Sequence, residues 1–165
     1  MRTAMLLVGL LAAATGVAAT SNDLTIKGIR LHESKDDVLN AHPEAQCAME
    51  TYCTYRDTLG GVDCEFALIF DDAGLNNLDI RFEPDAFDQV TAALIGKFGN
   101  PATNQRGTVQ NGFGAKFDDH IYVWKGKGWQ LQAKKRSKAT ESSIQFFSTD
   151  AQRDEERAKK NKSDI

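Results

Sequence analysis

The fold is decided by the stretch VDCEFALIFDDAGLNNLDIRF, which spans residues 62–82. Apolar and polar side chains alternate on both sides of a short acidic turn, which is typical of strands with one buried face. A three-residue loop, 72–74, would pair Asp71 with Leu75 and place Gly74 where a left-handed residue is needed. This register brings the apolar residues onto one face through the cross-strand pairs Leu68–Leu78, Phe66–Ile80 and Cys64–Phe82.

Two short helices are predicted outside this hairpin. Ser34 is an N-cap with Asp37 in the capping-box position, and Pro43 ends the first helix. Pro84 and Asp85 open the second helix, and a Gly-Asn-Pro break at 99–101 ends it. Its apolar residues recur at helical spacing: Phe87, Val90, Leu94 and Phe98.

Further strands are predicted at residues 50–56, 115–117, 120–124, 129–136 and 142–148. Residues 102–114 are polar and rich in glycine, and they are therefore predicted to form a loop. Lys125 to Gly128 closes a second hairpin, in which Trp124 would face Trp129.

These elements predict a single α+β domain over residues 20–149, with an antiparallel sheet and two short helices packed on one of its faces. The order of helix, proline break and strands recurs in the halves 24–83 and 84–148, which indicates a tandem repeat of pattern. Residues 150–165 are mostly charged and cannot bury a face, so they are predicted to be a solvated helix or disordered.

The first nineteen residues predict export. Arg2 precedes an apolar run over residues 5–14, and small residues follow at 17–19, in the order of a secretory signal peptide. The run is about ten residues long, whereas a membrane-spanning helix needs about 20. We therefore expect a mature chain that begins near Thr20, lacks a transmembrane segment and resides in the periplasm or outside the cell.

Three cysteines bear on the compartment and on metal binding. Cys47 and Cys53 bracket a short loop that precedes a predicted strand. Pairing Cys53 with Cys64 instead would need a two-residue loop at 58–59, where Gly, Asn and Asp are missing. We predict a Cys47–Cys53 disulfide and a buried Cys64 thiol. Zinc is the weaker alternative because the spacings lack close cysteine pairs, so no metal or cofactor is predicted.

Charge and motif content argue against two classes of function. The chain has 20 basic and 23 acidic residues and a net charge of -3, whereas nucleic-acid binding needs a basic field. The nearest approach to an acid–base cluster is 118–120, Asp-Asp-His, which also fits a solvated strand start. No catalytic residue is predicted, although a small periplasmic enzyme with an unrecognised site and a structural envelope component stay open as alternatives.

The candidate contact residues fall into two groups. A basic run at 134–136 ends a predicted strand and could meet an acidic partner. Two tryptophans are either core residues or, if exposed, a contact patch. We expect contacts at the outward sheet face and the loops around Gly112 and Lys127. The full set of candidates is Trp124, Lys127, Trp129, Lys134, Lys135 and Arg136.

Three segments carry a resemblance to known proteins: GIRL at 28–31 leading into 34–38 and Pro43, the hairpin at 70–79, and KFGNP at 97–101. In these the chain resembles small secreted bacterial proteins of the β-lactamase-inhibitor-like fold and, within a single unit, the BamE (SmpA/OmlA) family. The resemblance spans residues 24–148, but the lipoprotein cysteine is missing. The leading hypothesis for function is a non-enzymatic binding protein of the cell envelope or exterior, inhibitor-like or an assembly accessory, whose partner is another protein or an envelope component.

Overall fold

A computed structural model describes residues 24–110, 112–136 and 141–149. The predicted signal peptide, 1–19, and the charged tail, 150–165, lie outside these residues. In chain order the elements are α1 (Lys35–Ala41), β1 (Gln46–Met49), β2 (Tyr52–Leu59), β3 (Val62–Asp71), β4 (Gly74–Phe82), a 3-10 turn (Pro84–Ala86), α2 (Phe87–Phe98), β5 (Thr103–Gln110), β6 (Lys116–Gly126), β7 (Trp129–Arg136) and β8 (Ser142–Ser148).

One eight-stranded antiparallel sheet dominates the structure, with the strand order β1-β2-β3-β4-β8-β7-β6-β5. Among the described residues, strands hold 55% and helices 18%, so the fold is sheet-dominated and the predicted α+β class is wrong. Each helix is followed by four strands. The two groups of strands join where β4 pairs with β8, through the pairs Leu78–Phe146 and Ile80–Ile144.

The prediction underestimated the strand content at both edges of the sheet. Residues 103–110, predicted to be a loop, form β5, which among the described strands pairs only with β6. All its side chains but the first are exposed, so no apolar alternation marks it as a strand. The four-residue strand β1 is likewise exposed throughout and carries no alternation.

The hairpin of β3 and β4 confirms the predicted core register. Leu68 pairs with Leu78 and Phe66 with Ile80. The turn itself is one residue shorter than predicted, because Asp71 pairs with Gly74 and a bulge next to Ile69 restores the register. Gly74 has the expected left-handed backbone, with φ 98°.

Two other hairpins close with two-residue turns. Between β2 and β3, Leu59 pairs with Val62 around a two-residue Gly-Gly turn, and both glycines have positive φ. Between β6 and β7, Gly126 pairs with Trp129 and Trp124 pairs with Leu131, so the predicted pairing of the two tryptophans is wrong by two residues. The turn holds two residues, 127–128, instead of the four assumed.

The helix boundaries follow the predicted signals. The Ser34 side chain accepts a hydrogen bond from the Asp37 backbone N–H at 3.1 Å, and α1 ends at Ala41. The turn that begins at Pro84 leads directly into α2. The helix ends at Phe98, and the next residue, Gly99, has φ 76°.

The core lies between one face of the sheet and the two helices, together with residues 24–31. Phe87 of α2 stacks on Phe82 of β4 and Tyr122 of β6, with ring centroids 6.5 Å and 6.0 Å apart. The largest fully buried side chains are Phe66, Phe87, Phe146, Ile26, Ile29, Leu68, Leu75, Leu78, Ile80, Leu94, Leu131 and Ile144.

Candidate binding face

The two faces of the sheet differ in their cover. Every described segment outside the sheet that buries apolar side chains, 24–31, α1 and α2, buries them in the core cluster. The opposite face, here called the outer face, keeps its side chains partly exposed apart from Ala67 and Val123. Across the strands the outer face comprises Tyr52, Thr54, Arg56, Glu65, Ala67, Ile69, Asn77, Asp79, Arg81, Ser143, Gln145, Phe147, Gln130, Gln132, Lys134, Ile121, Val123, Thr103 and Gln105.

The centre of the outer face is built on β4, where side chains two residues apart share a face. Asp79 Oδ2 accepts hydrogen bonds from Nε and Nη2 of Arg81, each at 3.3 Å. Glu65, across the ladder, lies 3.8 Å from Arg81 Nη1. Partial burial acts to lower the pKa of Arg81, but Asp79 outweighs it and the pKa lies above its ordinary value. Arg81 is therefore held as a cation between two carboxylates.

Two acceptor oxygens at this centre have no hydrogen-bond donor among the described residues: Asn77 Oδ1 and Asp79 Oδ1. Both atoms are buried, and a buried acceptor without a donor costs about 1–3 kcal/mol. Their cross-strand neighbours on β8 are Phe147 and Gln145. The centre thus places two acceptor oxygens without a donor next to the amide of Gln145 and the ring of Phe147.

Apolar and cationic side chains surround this centre. Tyr52 pairs with Ile69 at one margin. At the other margin Ile121 pairs with Lys134. All four are partly exposed, so the outer face joins a polar centre to an amphipathic rim.

A groove of ≈ 470 Å³ lies where β2 and β4 end and β3 begins, beside the start of β8. One of its carboxylates, Asp57, bonds Lys27 at 2.8 Å, and this bond lowers the pKa of Asp57. The remaining charged groups leave acids in excess over bases. The lining residues are Arg56, Asp57, Thr58, Asp63, Cys64, Glu65, Arg81, Phe82, Glu83 and Glu141.

The two tryptophans lie on the core side of the sheet. Trp124 is 3% exposed, and its indole N–H donates to the Gly99 carbonyl at 2.8 Å. Because it is buried, Trp124 cannot belong to an exposed contact patch. Trp129 is half-buried and packs edge-on against Phe146, at 6.2 Å between ring centroids.

The predicted basic run does not form one patch. Lys134 shares the outer face with Ile121, whereas Lys135 pairs with the buried His120 on the other side of the sheet. Arg136 ends β7 opposite Asp119, and Lys127 lies in the turn between β6 and β7. Of the predicted contact residues whose side chains the structure describes, Lys134 lies on the outer face, whereas Trp124, Trp129 and Lys135 lie on the core side.

His120 is 7% exposed and sits against the rings of Tyr122 and Phe87, with centroids 4.3 Å and 5.6 Å away. Its Nε2 lies 2.8 Å from Asn104 Oδ1 and 3.2 Å from Arg106 Nε. Burial lowers the pKa of His120, and the charge of Arg106 lowers it further. Because the ring is buried and its pKa is lowered, His120 is a neutral, packed side chain and not an exposed base.

The disulfide prediction is confirmed: Cys47 and Cys53 are bonded and face each other across β1 and β2. Cys64 is a buried free thiol whose Sγ donates to the Val62 carbonyl at 3.3 Å. Burial raises its pKa to about 11. In the described part of the chain no cluster of three or more His, Cys, Asp or Glu side chains could hold a metal ion.

Among residues 24–110, 112–136 and 141–149, no helix is long and apolar enough to cross a membrane.

No protein family matches the chain. No curated protein matches it either. One solved structure is similar: a DUF4309 family protein, YjgB, from Bacillus subtilis, which is 12% identical, with 70% of this chain and 78% of that chain covered and a TM-score of 0.41. A similarity this distant carries no argument about fold or function.

Proposed function

We propose that this chain is a non-enzymatic binding protein of the cell envelope or exterior that contacts another protein through its outer face. The observation that carries the proposal is the unequal cover of the sheet. One face is sealed by two helices and residues 24–31, whereas no described segment packs on the other. A broad, uncovered sheet face of this kind suits a protein partner better than a small ligand.

The composition of the outer face supports a protein interface. Aromatic and arginine side chains are enriched at such interfaces, and here Tyr52, Phe147 and Arg81 lie on one surface. Asn77 and Asp79 supply acceptor oxygens without a donor in the described chain. Both oxygens are buried, so a partner could donate hydrogen bonds to them only after these side chains rotate outward, and such bonds would relieve the cost of burying them.

The resemblance to the β-lactamase-inhibitor-like and BamE (SmpA/OmlA) families supports an inhibitor-like or assembly-accessory role. The Cys47–Cys53 disulfide is compatible with an oxidising compartment, where a periplasmic or secreted protein resides.

The test is capture of a partner from periplasmic extract or medium on the immobilised chain, followed by affinity measurement with the purified partner. Gln145→Arg adds a long cation at the centre of the outer face, and we expect it to weaken binding at least about tenfold. Asn40→Arg makes the same change on the exposed side of α1 and should leave the affinity unchanged. Equal affinities of the two variants would refute the assignment of this face.

A further inference from the structure

The two edges of the sheet are protected to different degrees. β1 has four residues, a register shift between Cys47 and Met49, and a disulfide to β2. β5 runs for eight residues with an unbroken ladder to β6, from Thr103–Val123 to Gln110–Lys116. It contains no proline and one charged residue. Long, regular edge strands that lack bulges and prolines pair readily with further strands.

We propose that β5 pairs antiparallel with β5 of a second copy of this chain, about a twofold axis perpendicular to the sheet. Such an axis keeps the outer faces of both copies on one side, so opposed residues must come from the same face. Two registers then overlap over most of β5. One, centred on Arg106, joins residues 103–109; the other, centred on Gly107, joins residues 104–110.

Charge decides between the two registers. Centring on Arg106 would set the two guanidinium groups directly opposite each other, which is unfavourable. Centring on Gly107 sets Arg106 of the second copy opposite Thr108, whose neighbour in β6 is Asp118. Adjacent strands lie about 4.8 Å apart, so the long arginine side chain, turned away from His120 of its own copy, can reach over the short threonine towards Asp118. The twofold axis produces this contact twice.

The same register covers apolar side chains that are otherwise exposed. Val109 is 38% exposed and would lie opposite Gln105 of the second copy. Phe113, in the turn between β5 and β6, is 98% exposed, and the register brings the beginning of the second copy's β5 to this end of the edge. The second copy would thereby cover part of the exposed Phe113 side chain at the sheet edge.

A single strand pair buries less than the roughly 1,200 Å² of a stable interface. We therefore expect a reversible dimer with a Kd on the order of 0.1 mM. The axis leaves both outer faces uncovered and joins them into one surface. The proposed dimer can therefore be tested independently of what the outer face binds.

Sedimentation equilibrium of the secreted chain, from about 10 µM to about 1 mM, measures this association. We expect concentration-dependent dimers. Gly107→Lys places two ammonium groups at the twofold axis and should abolish them over this range. Gly107→Thr is the control, because a Cβ at Gly107 meets nothing within 4 Å. A chain that stays monomeric at the highest concentration overturns the proposal, as does a dimer that Gly107→Lys leaves intact.

A second variant tests the register. In Gly107→Cys the two new thiols face each other at the axis, so mild oxidation should give a covalent dimer. Thr103→Cys lies just outside the overlap of residues 104–110 and should crosslink at least about tenfold more slowly. Equal crosslinking of the two variants contradicts the register centred on Gly107, whatever the outcome of partner capture.

Discussion

Gly126 of β6 lies directly beneath the indole ring of Trp129 on β7. The two residues are cross-strand partners, and a Cβ on Gly126 would collide with the ring. The ring in turn packs against Phe146, so it has little room to move aside. This contact sets the hairpin turn at residues 127–128 and thereby the register of β6 and β7.

Gly126→Ala should destabilise the fold, because the new methyl group occupies the space of a packed indole. Overpacking of this kind costs about 1–3 kcal/mol, and urea denaturation measures it. Gly107→Ala is the matched control: its Cβ meets nothing, and the substitution should be neutral or stabilise the fold by about 0.4–1 kcal/mol. Equal unfolding midpoints for the two variants would contradict this account of the hairpin.

Removal of the disulfide should destabilise the chain while leaving it folded. The bond joins Cys47 and Cys53, six residues apart in the sequence. The chain-entropy argument for a short loop gives about 2 kcal/mol. Thermal unfolding of the Cys47→Ser, Cys53→Ser double variant measures the loss, and Cys64→Ser shows whether removing any cysteine has the same effect. No difference from the parent chain would mean that β1 holds to β2 without the bond.

Cys64 should be inert in the native state. The thiol is buried, donates to the Val62 carbonyl and has a pKa raised by burial to about 11. Only the thiolate reacts with alkylating reagents, so labelling near neutral pH should be very slow until the chain is denatured. Mass spectrometry before and after denaturant checks this. Rapid labelling of Cys64 in the native chain would show that β3 is less protected than its burial indicates.

Stability should fall in mildly acidic solution because of His120. Burial and Arg106 lower its folded-state pKa below the value of about 6.5 in an unfolded chain. The unfolded chain therefore binds the proton more readily, and the stability that His120 contributes is present above that value and lost as the pH falls through the folded-state pKa.

Urea unfolding at pH values of about 7.5 and 5 measures this dependence, and His120→Gln should make it shallower. Asn40→Gln, a change on the exposed side of α1, should leave the pH dependence of stability as in the parent chain. An unchanged slope in His120→Gln would show that other groups cause the acid sensitivity.

Strands could be predicted from the sequence where side-chain alternation is strong, and not where it is absent. Leu68 and Leu78 face each other because both strands alternate cleanly, so a slipped register would expose one apolar set. β5 carries polar side chains on both faces, and only its ladder to β6 makes it a strand. The prediction that Trp124 faces Trp129 failed because it assumed a four-residue turn.

The candidate site was predictable only in part. Alternation along β4 places Asp79 and Arg81 opposite the core residues, so their face could be read from the sequence. The position of their neighbour Gln145 could not be predicted from the sequence. Tertiary packing brings β4 and β8 together, although Asp79 and Gln145 are more than 60 residues apart in the chain. The split of Lys134 and Lys135 to opposite faces follows from strand geometry alone.

Methyl NMR of the isoleucine-labelled chain, titrated with the captured partner, tests the central claim most directly. Ile69 and Ile121 lie on the outer face, Ile80 and Ile144 in the core, and Ile95 on α2. The account predicts that the signals of Ile69 and Ile121 shift or broaden on binding while that of Ile95 stays in place. A partner that perturbs Ile95 and leaves Ile69 and Ile121 unchanged would bind the helical side, and the outer face would not be the binding face.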